Sequence, residues 1–243
     1  MPQDIIQKVK EALKDQKEIF GNALYEKDFE IPEQKIYIPV MKKEEPALFV
    51  PEDQPFENVQ SLEELRSAIC NCLKCPLGKT RNKFVFGKGR ADADVMCVGE
   101  GPGADEDAQG EPFVGRAGKL LTDILKAINF TREEVYIANV VKCRPPGNRT
   151  PFPSEMDTCL PYLLKQIELI KPKLILCLGL TAAQGLLKKR DSLTNMRGKI
   201  FTVGSAKVMV TYHPAALLRN PNWKRGCWED VKKFRTLFDE LNR

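Results

Sequence analysis

The sequence predicts an α/β protein: a three-layer α/β/α sandwich around a mainly parallel, four-stranded central sheet. Two observations carry this. Short apolar runs at 94–98, 135–141, 173–178 and 207–211 read as buried strands. Segments of helical period separate them, and strands alternating with helices argue for a parallel sheet covered on both faces.

In chain order, residues 4–20 place Ile5, Ile6, Val9, Leu13 and Phe20 near one face of an amphipathic helix. Residues 26–55 are rich in proline and charge and lack a sustained period, which reads as an extended arm. Residues 1–60 are therefore expected as an N-terminal helix plus an acidic arm, and residues 61–243 as the main domain. Ser61-Leu-Glu-Glu64 is a capping box that opens a helix to Ile69. Residues 76–93 are basic and glycine-bearing, a strand or loop at the sheet edge, with Arg81 and Lys83 as candidate phosphate contacts. After the first strand, Gly99, Gly101 and Gly103 are expected to let the backbone turn sharply and approach a ligand. From Gly115, the residues Ala117, Leu120, Leu121, Ile124 and Leu125 recur at helical spacing. Later helices are expected from a Ser154 cap to Ile170, over 181–189 and over 228–241.

Bulk properties narrow the class. An apolar content of 42% supports a packed core, and no run approaches the length of a membrane span. The N-terminus lacks a basic segment followed by an apolar block, so a cytoplasmic protein is expected. In that setting eight cysteines suggest metal binding rather than a disulfide framework. Residues 1–60 hold 8 Lys against 13 Asp and Glu, a net −5, leaving +10 on the remainder. An acidic leader on a basic body suits a nucleic-acid partner for the body.

Cys72-x-x-Cys75 is followed by Cys143 and, after fifteen intervening residues, Cys159. Two pairs joined by folding supply four thiolates, which suits zinc or an iron–sulfur cluster, and spacing alone does not separate the two. Cys70 is an alternative to Cys72. Cys97 and Cys177 sit inside apolar strands and read as small buried hydrophobes, while Cys227 has no assigned role.

The stretch 98–121, VGEGPGADEDAQGEPFVGRAGKLL, runs from strand through glycine turn and polar loop into helix. Such a segment builds a pocket at the carboxyl ends of an open sheet. It carries neither phosphate-loop pattern, and Glu100, Asp105, Glu106 and Asp107 would repel phosphate.

GEGPG, EDxxG and PFVGxAGxLL, in order within this stretch, resemble the first motif of the family 4 uracil-DNA glycosylases, the iron–sulfur branch of that superfamily. His213-Pro-Ala-Ala-Leu-Leu-Arg219 resembles the superfamily's final motif, and the resemblance covers about residues 61–243. It implies the uracil-DNA glycosylase fold and a monomer that acts on uracil-containing DNA and not on membranes. The implied reaction is base excision repair: uracil is flipped out, its N-glycosidic bond hydrolysed, and free uracil released from an abasic site. It also implies a [4Fe–4S] cluster on Cys72, Cys75, Cys143 and Cys159, a structural staple holding Arg144, Pro145, Pro146, Asn148 and Arg149 toward DNA.

A flipped base needs a stacking face, an edge reader, a donor for the leaving anion and a wedge for the vacated stack. Phe113 is the candidate stacking face. Asn139, polar within an apolar strand, offers one donor and one acceptor to uracil O4 and N3–H. His213, the only histidine, is placed to donate to uracil O2 as charge develops. Leu217 is the expected wedge with Leu218 beside it, and Arg219, Lys224 and Arg225 are expected on phosphates. Gly101 belongs to the substrate-binding segment. It stands where the best-known uracil-DNA glycosylases carry an aspartate, so water activation has no matching carboxylate. Glu100 is the nearest candidate, either to position water or to contact the base. A non-catalytic iron–sulfur DNA-binding module and a glycosylase for other deaminated bases, such as hypoxanthine, are the alternatives. Strand preference and opposite-base dependence are not written in these motifs.

Overall fold

The four apolar runs become the four parallel strands of the sheet, each short and apolar at consecutive positions because both faces are covered. The structure, a computed structural model, describes residues 56–242, which fall in one compact unit. The helix and acidic arm expected over residues 1–60 therefore lie, apart from 56–60, outside the described residues. The first half runs through α1 (Leu62–Ile69), α2 (Leu77–Thr80), β1 (Lys88–Gly89), β2 (Val95–Gly99), α3 (Ala104–Gln109), α4 (Arg116–Ala127) and β3 (Tyr136–Asn139). The second comprises α5 (Pro153–Ile170), β4 (Leu174–Leu178), α6 (Leu180–Leu187), α7 (Leu193–Met196), β5 (Phe201–Val203), β6 (Ala206–Thr211), α8 (Pro214–Arg219) and α9 (Lys224–Leu241).

Strand order is β1-β3-β2-β4-β6-β5. The inner four strands are parallel, and β1 and β5 pair antiparallel at the two edges. The expected four-stranded parallel sheet is thus present, extended by two edge strands of two and three residues. These are too short to leave an apolar pattern in the sequence.

Alternate residues of each inner strand face opposite layers. Met96, Val98, Ile175, Cys177, Val208 and Val210 pack under α1, α5 and α6. Val95, Cys97, Leu174, Leu176 and Met209 pack under α4 and α9. Cys97 and Cys177 are fully buried among apolar neighbours, and burial pushes the Cys97 thiol up to about 12. Cys227 joins the second core from α9. The chain leaves β2 toward β3 on one side and β4 toward β6 on the other, which opens a crevice at the carboxyl ends of these strands.

Three local readings change. The N-cap of α5 is Phe152, not Ser154: Glu155 takes the Phe152 N–H at 2.8 Å, and Pro153 at the first position needs no partner. The last helix begins at Lys224, ahead of the expected 228. The polar loop after β2 contains α3, whose sequence ADEDAQ has no apolar period to reveal it.

The carboxylates of α3 hold that loop in place. Asp107 is buried and accepts from Asn82 N at 2.8 Å, Asn82 Nδ2 at 2.6 Å and Lys83 N at 3.3 Å. Removing a buried carboxylate that satisfies three donors leaves them unpaired. Asp107→Ala is expected to cost about 2–4 kcal/mol, read as a lowered thermal midpoint. An unchanged midpoint would mean that the loop is held by other contacts.

Candidate active site

A cleft of ≈ 380 Å³ opens at the carboxyl ends of the parallel strands. Glu100, Gly101, Pro102 and Gly103 form one wall; Phe113, Asn139 and His213 reach it from three other segments; Pro145, Asn148, Arg149 and Arg219 close its rim. A groove of ≈ 440 Å³ between α9 and the β5–β6 edge holds none of the sequence-predicted site residues.

The floor of the cleft is set by strand register. Gly99 lies beside Asn139 in the β2–β3 pair. A Cβ on Gly99 would come within 2.3 Å of Asn139 Oδ1 and 2.6 Å of the Phe113 ring, so both side chains occupy the space a larger residue would take. Asn139 is 1% exposed, and its Oδ1 has no hydrogen-bond partner. A buried acceptor left unpaired is costly, and an aromatic neighbour does nothing to relieve it. Neither Gly99, Gly101 nor Gly103 has a positive φ. The expected sharp turn is therefore not what they provide; they provide close approach.

Phe113 is buried with a left-handed backbone, φ 53°, which is strained for a bulky residue. It is pinned from both sides. Arg132 donates to the Pro112 carbonyl, and Glu106 Oε1 accepts from Val114 N at 2.9 Å and Gly115 N at 3.1 Å. The other oxygen of Glu106 caps α3 through Gly103 N at 3.1 Å. Two of the four acidic side chains of this loop are thus internal anchors.

The Phe113 and His213 rings are tilted at 33° with centroids 5.6 Å apart. His213 caps α8: its Nδ1 accepts from Ala215 N at 3.1 Å, which leaves the ring proton on Nε2. Burial, with the nearby Arg219 cation, lowers its pKa to about 4. Gly179, with φ 92°, ends β4 beneath it, where a Cβ would lie 2.9 Å from the histidine Cβ. Glu100 is half-buried. Burial raises its carboxyl pKa, while a hydrogen bond with Thr181 and the Arg219 charge hold it down.

Leu217 does not fit the expected wedge. It is 1% exposed within the second core, whereas Leu218 is 38% exposed. Leu217 would have to leave that core to enter a base stack, so the geometry favours Leu218. Arg219, Lys224 and Arg225 are exposed. Arg149 is engaged by Glu155 at 2.7 and 2.8 Å and lies over the Phe152 ring. Arg81 turns inward, donating to the carbonyls of Cys72 at 2.6 Å and Cys70 at 2.9 Å. It therefore holds the cysteine loop instead of facing phosphate.

Cys72, Cys75, Cys143 and Cys159 share one neighbourhood: all four pack with the first core, and the Cys143 thiol feels both Cys72 and Cys75. Among the described residues no three cysteine, histidine or carboxylate side chains stand in a closed metal-holding arrangement. Donors nevertheless face the sulfurs. Arg81 Nη1 reaches Cys143 Sγ at 3.2 Å, Tyr162 OH reaches Cys72 Sγ at 3.1 Å, and Lys142 N reaches Cys159 Sγ at 3.3 Å. Burial keeps the free thiols protonated, pushing Cys159 up to about 12, while these donors would support the sulfurs once a metal displaced their protons, and in that sense the residues fit a four-cysteine metal group. Cys70 is turned back onto its own helix, its Sγ 3.6 Å from the Ser67 carbonyl. Sequence reasoning missed Lys142, which is fully buried in this region, because a lysine between apolar residues and a cysteine carries no motif.

A sequence profile of the Uracil DNA glycosylase superfamily matches residues 86–232. The chain belongs to that superfamily. Type-4 uracil-DNA glycosylases are among its similar proteins. That of Archaeoglobus fulgidus is 44% identical over 199 residues, covering 75% of this chain and 100% of its own length. That of Thermotoga maritima is 47% identical over 176 residues, covering 71% of this chain and 92% of its own. Within the superfamily the chain therefore falls with the type-4 enzymes.

The buried imidazole has a testable consequence. The folded pKa of His213 is depressed from 6.5 to about 4. Between those values the unfolded chain binds a proton that the folded chain does not, so this contribution to stability is lost as pH falls from 6.5 toward 4. By NMR the single histidine is expected to show no titration near pH 6.5 and to stay neutral until well below pH 5. An inflection near 6.5 would show a solvated ring.

Proposed function

We propose that this chain is a DNA repair glycosylase that takes a flipped uracil into the cleft, hydrolyses its N-glycosidic bond and leaves an abasic site. One observation carries the reading: the buried, unpartnered Oδ1 of Asn139 beside the Phe113 ring. A planar base stacked on Phe113 with a ring N–H would complete that acceptor, and uracil N3–H is such a donor. The asparagine amide nitrogen then faces O4. His213, neutral with its proton on Nε2, donates toward O2 as the uracil anion departs. Being uncharged beforehand, it supports charge only as charge develops, which lowers the barrier more than it tightens ground-state binding.

Glu100 and Gly101 border the base, with Glu100 as the carboxyl nearest to an attacking water. Leu218 fills the vacated stack, and Arg219, Lys224 and Arg225 meet the backbone phosphates. A labelled oligonucleotide with one uracil should break at that position after treatment with protein and hot alkali. Binding without breakage would favour the non-catalytic module, and breakage at hypoxanthine would widen the substrate range. In Asn139→Asp the ionised carboxylate can only accept, so uracil release should fall by at least about tenfold. Undiminished release by a folded variant would remove Asn139 from base reading.

Cys72, Cys75, Cys143 and Cys159 are the proposed ligands of a [4Fe–4S] cluster. Bound there, it supplies a cross-link rather than redox chemistry, since breaking a glycosidic bond transfers no electron. The Cys72–Cys75 loop and the segment 143–159 would then be fixed to one another, and with them the cleft rim from Pro145 to Thr150. Protein purified without air should be brown, with a broad band near ~400 nm typical of such clusters. Colourless protein with stoichiometric zinc would replace iron in this reading.

A further inference from the structure

Lys142 is 0% exposed and heads the largest fully buried side chains of the described residues. Its Nζ donates to the Asn139 carbonyl at 2.9 Å and to Gln166 Oε1 at 2.5 Å. Gln166 in turn donates to the Phe86 carbonyl at 3.0 Å and to Tyr136 OH at 3.2 Å, so it is held in one orientation. No carboxylate pairs with Lys142 among the ion pairs of the described residues. A buried cation without an anion is among the costliest arrangements in a protein, and neutral acceptors repay only part of the cost.

The candidate anions beside it are the sulfurs of Cys143, the next residue in the chain, and of Cys159. Its own backbone N–H also points at Cys159 Sγ, at 3.3 Å. Four thiolates on an iron–sulfur core carry net negative charge, and on the side of Cys143 and Cys159 that charge would sit in a buried, low-dielectric setting.

We propose that Lys142 is the internal counter-ion of the four-cysteine group and a positioning residue that ties this group to the end of β3 carrying Asn139. The inference rests on the cluster reading above. It explains why a lysine is tolerated, fully buried, just beyond the end of β3 and directly after the buried pair Val140 and Val141. It also links the cysteine region to the cleft through one residue: the backbone N–H of Lys142 meets Cys159 Sγ while its ammonium holds the carbonyl of the residue proposed to read the base.

The test uses the intact protein purified without air, compared as wild type, Lys142→Met, Lys142→Gln and Gln166→Leu. Each more reduced state of the cluster is one charge more negative, so loss of a nearby cation should shift the midpoint potential to a more negative value in both Lys142 variants. Gln166→Leu disturbs the same packing without changing charge, and should leave the potential at the wild-type value. Iron release to a chelator should be about tenfold or more faster in the Lys142 variants, the scale seen when partners behind a metal ligand are removed. If both Lys142 variants fold without iron while Gln166→Leu retains it, the counter-ion is required for loading and the proposal stands. A folded, brown Lys142→Gln protein with wild-type potential and iron retention would overturn it. Wild-type protein lacking iron would instead overturn the cluster reading, an outcome visible before any variant is made.

Discussion

The pairing of Gly99 with Asn139 across β2 and β3 is the constraint on which the cleft depends. In a sheet a one-residue slip moves a side chain to the opposite face. Here a slip would send the Asn139 amide into the other layer and bring a larger residue to the place of Gly99. Correct register puts an unpartnered acceptor over a residue without a side chain, and the Phe113 ring fills the rest. Much of the surrounding hydrogen bonding serves to keep that space: Glu106 and Arg132 hold the strained Phe113, and Gly179 lets His213 close the far side.

The acidic loop illustrates how composition misleads when carboxylates are counted without their partners. Read as charges, four acidic residues make a wall hostile to a polyanion. In the structure Glu106 and Asp107 each accept three hydrogen bonds, mostly from backbone N–H groups, so their charge is largely committed to holding the loop. Of this set Glu100 and Glu106 both line the cleft, which Arg219 lines as well. The carboxylates of Glu106 and Asp107 are thus turned onto local donors rather than presented free to a polyanion.

The parallel sheet was legible because its strands are buried on both faces, so apolar runs such as 173–178 stand out against polar loops. Asn139 and His213 stood out as polar residues at or just past strand ends, and the structure brings both to the cleft, although His213 also serves as the cap of α8. Other features left no such mark. A two-residue edge strand at Lys88–Gly89 has no period, and α3 is stabilised by a carboxylate cap instead of an apolar face. Leu217 and Leu218 look alike in sequence, and only the rotation of α8 decides which of them enters the core. Lys142 was invisible for the opposite reason: its partners, Gln166 and the Asn139 carbonyl, become neighbours only through the fold.

By the resemblance, Gly101 stands where the best-known uracil-DNA glycosylases carry an aspartate, and packing gives a reason why that exchange is not easily made. A Cβ at Gly101 would stand 2.6 Å from Val141 Cγ2, well inside contact distance. Val141 cannot simply yield, since it is fully buried and its N–H is bound to the Glu100 carbonyl at 3.1 Å. That bond continues the β2–β3 pairing beyond Asn139, so making room at 101 would loosen the register that sets the amide. An aspartate at 101 and this end of β3 thus compete for one space. In the proposed reaction the absent carboxylate is tolerable because glycosidic cleavage passes through an oxocarbenium-like sugar. Such a cation is captured by water with little basic assistance. What the chemistry cannot do without is stabilisation of the departing uracil anion, the part that the proposed reaction gives to the neutral imidazole of His213 and the amide of Asn139.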